Sequence, residues 1–106
     1  MSYVVANRVF VKPEYGQEFE QRFKNRAGQI DKQPGFVRME VLQPRSDKTP
    51  YVVLTYWKDE PAFNSWVGSE DFKIAHQNPM VKDAFLEGGG LEQYEVIISS
   101  SSHSNG

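Results

Sequence analysis

Apolar and polar positions alternate in four segments of the chain, which is the pattern of partly buried β-strands. The segments are Tyr3 to Lys12, Phe36 to Gln43, Tyr51 to Lys58 and Leu91 to Ile98. The third segment is apolar on both faces, so a strand there needs cover on both sides. In the fourth segment, the predicted buried face consists of Tyr94, Val96 and Ile98.

Between these strands, apolar residues recur at spacings of three and four, the period of an amphipathic helix. The first stripe follows the first strand, and the other two follow the predicted N-terminal caps Asp59 and Ser69. The stripes contain Tyr15, Phe19, Phe23, Ala27 and Ile30, then Phe63, Trp66 and Val67, then Phe72, Ala75 and His76. His76 therefore falls near the end of the third helix, just before Asn78-Pro79. A further helical turn is predicted between Met80 and Leu86.

The element order, strand, helix, strand, strand, helix, strand, is that of the split βαβ arrangement. It predicts an α+β fold of the ferredoxin-like kind, with an antiparallel sheet and helices on one face. Residues 1–98 form one predicted domain, and residues 99–106 are too polar to bury surface, so a disordered tail is expected. A second copy of the chain is the economical cover for the other face of the sheet, which predicts a homodimer.

Composition and charge exclude several classes of function. Twelve basic and fourteen acidic residues leave no field for a phosphate backbone, so no nucleic acid partner is expected. Without cysteine there is no disulfide, thiolate nucleophile or zinc ribbon. No apolar run approaches the ~20 residues of a membrane span, and the first residues lack the apolar core of a signal peptide. We therefore expect no membrane partner and a cytoplasmic location.

Three residues remain as candidates for chemistry, because phosphate-loop, nucleophile-elbow, zinc-protease and dinucleotide motifs are missing. Asn7 lies among valines on one face of the first strand, where its amide needs partners or a polar cavity. His76 is the histidine within the predicted fold, and Trp66 lies on a helix face. Each also has an ordinary interpretation: Asn7 bonds to a loop, Trp66 is core, and His76 stabilises a helix end through the dipole.

One block of the sequence is distinctive as a pattern. It contains Thr55-Tyr56-Trp57, then Ala62-Phe63-x-x-Trp66, then Ser69-x-x-Phe72-x-x-Ala75-His76, and it is preceded by Asn7-Arg8 and Pro34-Gly35-Phe36. From about Tyr3 to His76 the chain resembles the antibiotic biosynthesis monooxygenase domain, and most closely the IsdG-type haem-degrading monooxygenases. Members of that group are dimeric α+β barrels that bind haem in a cleft between helix and sheet and oxidise it with dioxygen and external electrons.

The resemblance implies roles for individual residues. His76 matches the proximal ligand of the haem iron, Trp66 the bulky residue that pushes the porphyrin out of plane, and Asn7 the distal hydrogen-bond donor. Further haem contacts are implied at Arg22, Phe23 and Arg26, the two guanidinium groups being suited to haem propionates. Haem is then both substrate and oxygen-activating cofactor, with no other metal, and an external electron donor is required.

The expected activity is oxidative opening of the porphyrin ring with release of iron. One alternative keeps the fold and changes the chemistry: a cofactorless monooxygenase whose quinone-like or polycyclic aromatic substrate supplies its own electrons. Another is a dimer that binds haem without turning it over. Failure to bind haem would favour the cofactorless monooxygenase, and haem binding without turnover would favour the non-enzymatic dimer.

Overall fold

A computed structural model of the protein describes residues 2–102, except for the side chains of residues 26–28. The strands are β1 (Tyr3–Val9), β2 (Phe36–Leu42), β3 (Tyr51–Trp57) and β4 (Gly90–Glu95), and the α-helices are α1 (Gly16–Ile30), α2 (Glu60–Val67) and α3 (Glu70–Ala75). Short 3-10 turns cover Pro13–Tyr15 and Lys82–Ala84. No helix among residues 2–102 is long and apolar enough to cross a membrane.

The four strands form one antiparallel sheet in the order β2-β3-β1-β4. Helices cover one face of this sheet, so the predicted ferredoxin-like α+β fold is confirmed. In β1, Val5 pairs with Thr55 and Asn7 pairs with Val53. Because side chains alternate between the faces of a strand, these four residues lie on the same, helix-covered face.

Local chemistry sets where α2 and α3 begin. The Asp59 carboxylate accepts a hydrogen bond of 3.0 Å from the Ala62 amide, and the Ser69 hydroxyl oxygen accepts one of 3.1 Å from the Phe72 amide. Both bonds satisfy an amide that has no partner within its own helix. The two predicted caps are therefore confirmed.

Gly35, just before β2, lies against α2 at a point where a larger residue does not fit. Its φ is +81°, a conformation that side chains rarely adopt, and a Cβ there would lie 2.5 Å from the Ala62 Cβ. Its carbonyl also accepts a 2.7 Å hydrogen bond from the Lys58 amide. The glycine thus allows α2 to pack closely against the start of β2.

Buried apolar residues form two clusters beneath the helices. The first contains Phe19, Tyr51, Val53, Met80 and Ala84, and the second contains Val5, Ile30, Trp57 and Trp66. Trp57 is completely buried, and Phe36 and Phe63 present ring edges to it. Its indole Nε1 donates a 2.9 Å hydrogen bond to the Thr55 hydroxyl oxygen, which gives this buried N–H a partner.

The opposite face of the sheet, here called the bare face, carries Val52, Leu54 and Tyr56 from β3 and Leu42 and Tyr94 from the edge strands. The β3 residues are half-buried, whereas Leu42 and Tyr94 are about half exposed. No helix of the described residues packs on this face. The expectation that β3 has a helix-covered face and a second apolar face agrees with this arrangement.

Two predicted strands are too long. β1 ends at Val9, after which Val11 forms only an isolated bridge with Phe85. β4 ends at Glu95, because its antiparallel partner β1 begins there and leaves only a bond from the Val96 amide to the Ser2 carbonyl. Beyond that point Ile97 and Ile98 are 76% and 84% exposed.

The prediction that Tyr94, Val96 and Ile98 are buried together is therefore wrong for the single chain. Tyr94 lies on the bare face, and Ile98 lies beyond the end of the sheet. In the expected disordered tail, residues 99–102 have no regular secondary structure. Residues 103–106, including His103, lie outside the described part of the chain. The helical turn expected between Met80 and Leu86 is present as a 3-10 turn at Lys82–Ala84.

Candidate functional site

A cavity of about 580 Å³ lies between the sheet and the helices, a size within the usual range for small-molecule and cofactor sites. Most of its lining is apolar. The polar lining residues are Asn7, Arg22, Thr55 and His76. Such a surface suits a large apolar ligand that a few polar groups orient.

The sheet supplies one wall, here called the floor, which consists of Val5, Asn7, Val9, Met39, Val53 and Thr55. Each floor residue lies on a strand that is hydrogen-bonded along the central part of the sheet. Val5 and Val53 are buried, whereas Asn7 is exposed to the cavity mouth. Asn7 is thus a polar group on an apolar wall, as the sequence predicts.

The opposite wall, here called the roof, is built from α2 and α3 and consists of Phe63, Trp66, Val67, Phe72, Ala75 and His76. These helices are only eight and six residues long. Helix α1 closes one side of the cavity with Phe19, Arg22, Phe23 and Ile30, and the chain after α3 closes another with Pro79, Met80 and Phe85. Leu91 of β4 completes the cavity lining.

His76 is the residue that ends α3, and two contacts with Phe72 fix its ring. The two rings stack with centroids 4.1 Å apart, and the His76 Nδ1 lies 2.8 Å from the Phe72 carbonyl oxygen. Because a carbonyl oxygen only accepts, Nδ1 carries the proton, and Nε2 of the neutral ring carries the lone pair. A histidine held in this way presents Nε2 as a ligand for a metal.

Trp66 belongs to both the core and the cavity wall. It is 7% exposed, packs in the cluster with Val5, Ile30 and Trp57, and meets the Phe72 ring edge-on at 5.3 Å. The Ser69 hydroxyl donates a 2.7 Å hydrogen bond to the Trp66 carbonyl oxygen. The Trp66 side chain is therefore part of the core and part of the cavity wall at the same time.

The expected haem contacts of α1 have different outcomes. Phe23 lines the cavity. Arg22 also lines it, and its guanidinium pairs with Glu18 at 3.3 Å and donates to the carbonyl of Asn78, in the loop after His76. The Arg26 side chain lies outside the described part of the structure.

Sequence reasoning missed several residues of this site. Met39, Thr55, Pro79, Met80 and Phe85 line the cavity without having been candidates. For Thr55 the signal was its place on the helix-covered face of the third strand, two residues before a buried tryptophan. Nothing in the local pattern could have placed the loop residues, because their position depends on contacts with α1 and with the segment after β1.

A smaller cavity of about 330 Å³ adjoins the first and shares Phe23 and Met39 with it. Tyr51 lies in its wall and donates a 2.5 Å hydrogen bond to Glu20, which also accepts one from Gln43. Burial, and then the Glu20 carboxylate, raise the pKa of Tyr51. Within residues 2–102, no three histidine or acidic side chains are grouped as a metal site would need.

Three comparisons place this chain among known proteins. The sequence profile described as antibiotic biosynthesis monooxygenase matches residues 2–78. "Heme oxygenase (mycobilin-producing)" of Mycobacterium tuberculosis is 30% identical over 98 residues, covering 92% of this chain and 91% of that protein. "Heme oxygenase (staphylobilin-producing)" of Staphylococcus haemolyticus is 36% identical over 78 residues, covering 72% and 74%.

A solved structure gives the same result for the fold. The M. tuberculosis heme-degrader with two hemes bound in its active site superposes with a TM-score of 0.76 at 28% identity, over 93% of this chain and 99% of that one. The matched profile spans β1 to the loop after α3 and so includes the floor, the roof and His76. The chain belongs to the antibiotic biosynthesis monooxygenase family.

Proposed function

We propose that this protein is a haem-degrading monooxygenase that binds haem in the cavity between floor and roof. The observation that carries the proposal is the fixed His76 ring on the wall of a large apolar cavity, with Nε2 available and Asn7 on the opposite wall. The two curated relatives named above are heme oxygenases, which supports the same activity here.

The described residues fit haem in size and chemistry. A flat apolar macrocycle suits a cavity of about 580 Å³ whose walls are largely aliphatic and aromatic. A neutral imidazole with a fixed tautomer is a common axial ligand of haem iron. The Arg22 guanidinium on the α1 side is a partner for a carboxylate, provided that it leaves Glu18.

Each of the proposed site residues has a task that its position supports. His76 coordinates the iron from the roof, and the Phe72 carbonyl keeps its ring oriented. Trp66, held by its neighbours in the core, would contact one side of a bound macrocycle and would favour a distorted ring. Asn7 donates a hydrogen bond from the floor. Arg22 and Arg26 are proposed partners of the propionates, and Phe23 a contact with the ring.

Bound haem supplies the dioxygen activation and is itself consumed, with electrons from an external donor. The apolar walls exclude bulk water from the reacting face, and the four polar groups orient the ligand. Opening the ring then releases the iron. No protein general acid is required by this scheme.

The homodimer and the cytoplasmic location also belong to this proposal. The bare face offers apolar side chains from three strands for a second copy, and Ile97 and Ile98 continue that apolar surface beyond β4. Burial of these side chains would contribute roughly 25 cal/mol for each Å² removed from water. Size-exclusion chromatography with light scattering should give twice the chain mass.

The test is a titration of the purified protein with ferric haem, followed by ascorbate in air with catalase present. We expect a saturable Soret spectrum that bleaches upon reduction. Catalase removes free peroxide, so bleaching in its presence reports turnover in the protein and not oxidation by peroxide in solution. In His76→Ala the ferric spectrum should lose its imidazole coordination, and in Trp66→Phe bleaching should slow more than binding weakens. Saturable binding without bleaching would indicate a haem carrier, and absence of binding would indicate the cofactorless oxygenase.

A further inference from the structure

Thr55 is a polar residue of the floor whose hydroxyl has one of its two hydrogen-bonding roles occupied. Its oxygen accepts the 2.9 Å bond from Nε1 of the completely buried Trp57. A hydroxyl that accepts from one side still has its own hydrogen to donate. Among residues 2–102, no acceptor is found for that hydrogen, and the side chain lines the cavity.

The register of the sheet places this hydroxyl beside Asn7. Val5 pairs directly with Thr55, so Asn7 is the diagonal neighbour of Thr55 on the same face. Diagonal neighbours have side chains about 7 Å apart, close enough for both to reach one small ligand or a water between them. Asn7 is exposed near the mouth and Thr55 is half-buried, so the pair runs inward along the floor.

The Trp57 bond also aims the hydroxyl. One lone pair of the Thr55 oxygen accepts from the rigid indole, which restricts the directions in which the hydroxyl hydrogen can point. The rest of the floor is Val5, Val9, Met39 and Val53, among which the one acceptor is the weakly accepting thioether sulfur of Met39. The remaining direction that has room is the cavity.

We infer that Thr55 is a second hydrogen-bond donor of the floor, acting with Asn7 on a small polar ligand held between the floor and the porphyrin. This inference rests on the proposed haem-binding function. Two donors at different depths fix the ligand's direction as well as its position. They would therefore select which edge of the macrocycle is attacked, making Thr55 a specificity-determining residue.

The test uses azide, an anionic ligand of ferric haem that accepts hydrogen bonds. In the ferric haem complex of Thr55→Val, we expect the azide Kd to rise about fivefold to tenfold, the loss of one hydrogen bond. Thr55→Ser retains the hydroxyl and should stay within about twofold of the wild type, the residual effect of a lost methyl contact. With dioxygen and reductant, Thr55→Val should also change the ratio of ring-opened isomers.

Trp57→Phe provides a second test, because it removes the indole N–H that orients the Thr55 hydroxyl and keeps the hydroxyl itself. Its azide Kd should rise, but by less than in Thr55→Val, since the donor is still present without its fixed direction. An unchanged Kd in Thr55→Val, or an equal rise in Thr55→Ser, would overturn the assignment to the hydroxyl. Failure of the wild-type protein to bind haem would instead refute the proposed function, and this inference with it.

Discussion

The floor and the roof of the cavity face each other but are held in place by different means. All floor residues except Met39, which lies on the edge strand β2, lie on the central strands β1 and β3, which are paired on both sides by ladders of backbone hydrogen bonds. The roof consists of two short helices, which are too short to be stable alone and depend on caps and packing. The wall that carries Asn7 and Thr55 is therefore rigid, whereas the wall that carries Trp66 and His76 can open locally.

This difference suits the proposed function. A ligand as large as a porphyrin must enter, and a product of different shape must leave, so one wall has to yield. The roof can yield as a unit, since Ser69 joins α2 to α3 through its bonds with Trp66 and Phe72. The donors on the floor keep their positions while it does so.

The largest effect is expected at the junction of the two walls. Gly35→Ala puts a side chain into a positive φ and within 2.5 Å of the Ala62 Cβ, which should cost about 3 kcal/mol of the free energy of unfolding. Urea denaturation measures this loss in the free energy of unfolding. In Gly68→Ala the new Cβ meets nothing closer than 3.6 Å, and a change within about 0.5 kcal/mol is expected. Equal stability of both variants would contradict the tight junction.

A second comparison sets one valine of each wall against the other. Val5 of the floor is 3% exposed and Val67 of the roof is 41% exposed. Val5→Ala should lower the free energy of unfolding by about 2 kcal/mol, because a packed core loses two methyl groups, and Val67→Ala by about 0.5 kcal/mol. Both values come from urea titrations. If the two losses were equal, the floor would be no better packed than the roof.

The third prediction tests local opening of the roof. Ser69→Ala removes the cap of α3, a loss of about 1 kcal/mol. Hydrogen exchange should become faster at the amides of α3 while those of β1 and β3 keep their protection, since the roof opens without the sheet. Ser65→Ala, at an exposed position within α2, should leave exchange unchanged. Faster exchange throughout the sheet would mean that the two walls open together.

The sequence predicts the roof better than it predicts where the strands end. Caps at Asp59 and Ser69 and the helical spacing up to His76 are local signals, and the structure confirms them. The end of β4 depends on where β1 begins, 92 residues away, since Tyr3 pairs with Glu95, and alternation alone carries no such information. The strand was therefore predicted to reach Ile98.

The candidate site shows the same limit. Asn7, Trp66 and His76 were predicted from residue type and resemblance, and all three line one cavity. The contact of Arg22 with the Asn78 carbonyl arises instead from packing between segments that are 56 residues apart. Such contacts follow from the fold and have no local pattern in the sequence.

The smallest effect is expected where the loop after α3 contacts the segment that follows β1. Lys12 Nζ lies 2.8 Å from the Asp83 carboxylate, next to the lining residue Phe85. The hydrogen bond and charge of Lys12 lower the pKa of Asp83, and the same hydrogen bond raises the pKa of Lys12. The pair stabilises the fold above the usual carboxyl pKa. That contribution is lost as the pH falls through the lowered pKa, and again as it rises through that of Lys12.

Asp83→Asn should therefore lower the Tm slightly at neutral pH, and the two Tm values should converge in acid. The shift is small because the pair is solvent-exposed, and salt at about 1 M should reduce it further by screening. In a Lys12→Met background, which provides the matched control, the same substitution should change the Tm much less, because only the weaker contact with Tyr15 is left. A Tm difference that persists in acid, or at full size in that background, would show that Asp83 acts through a contact other than Lys12 and that backbone bonds alone hold the loop against the segment after β1.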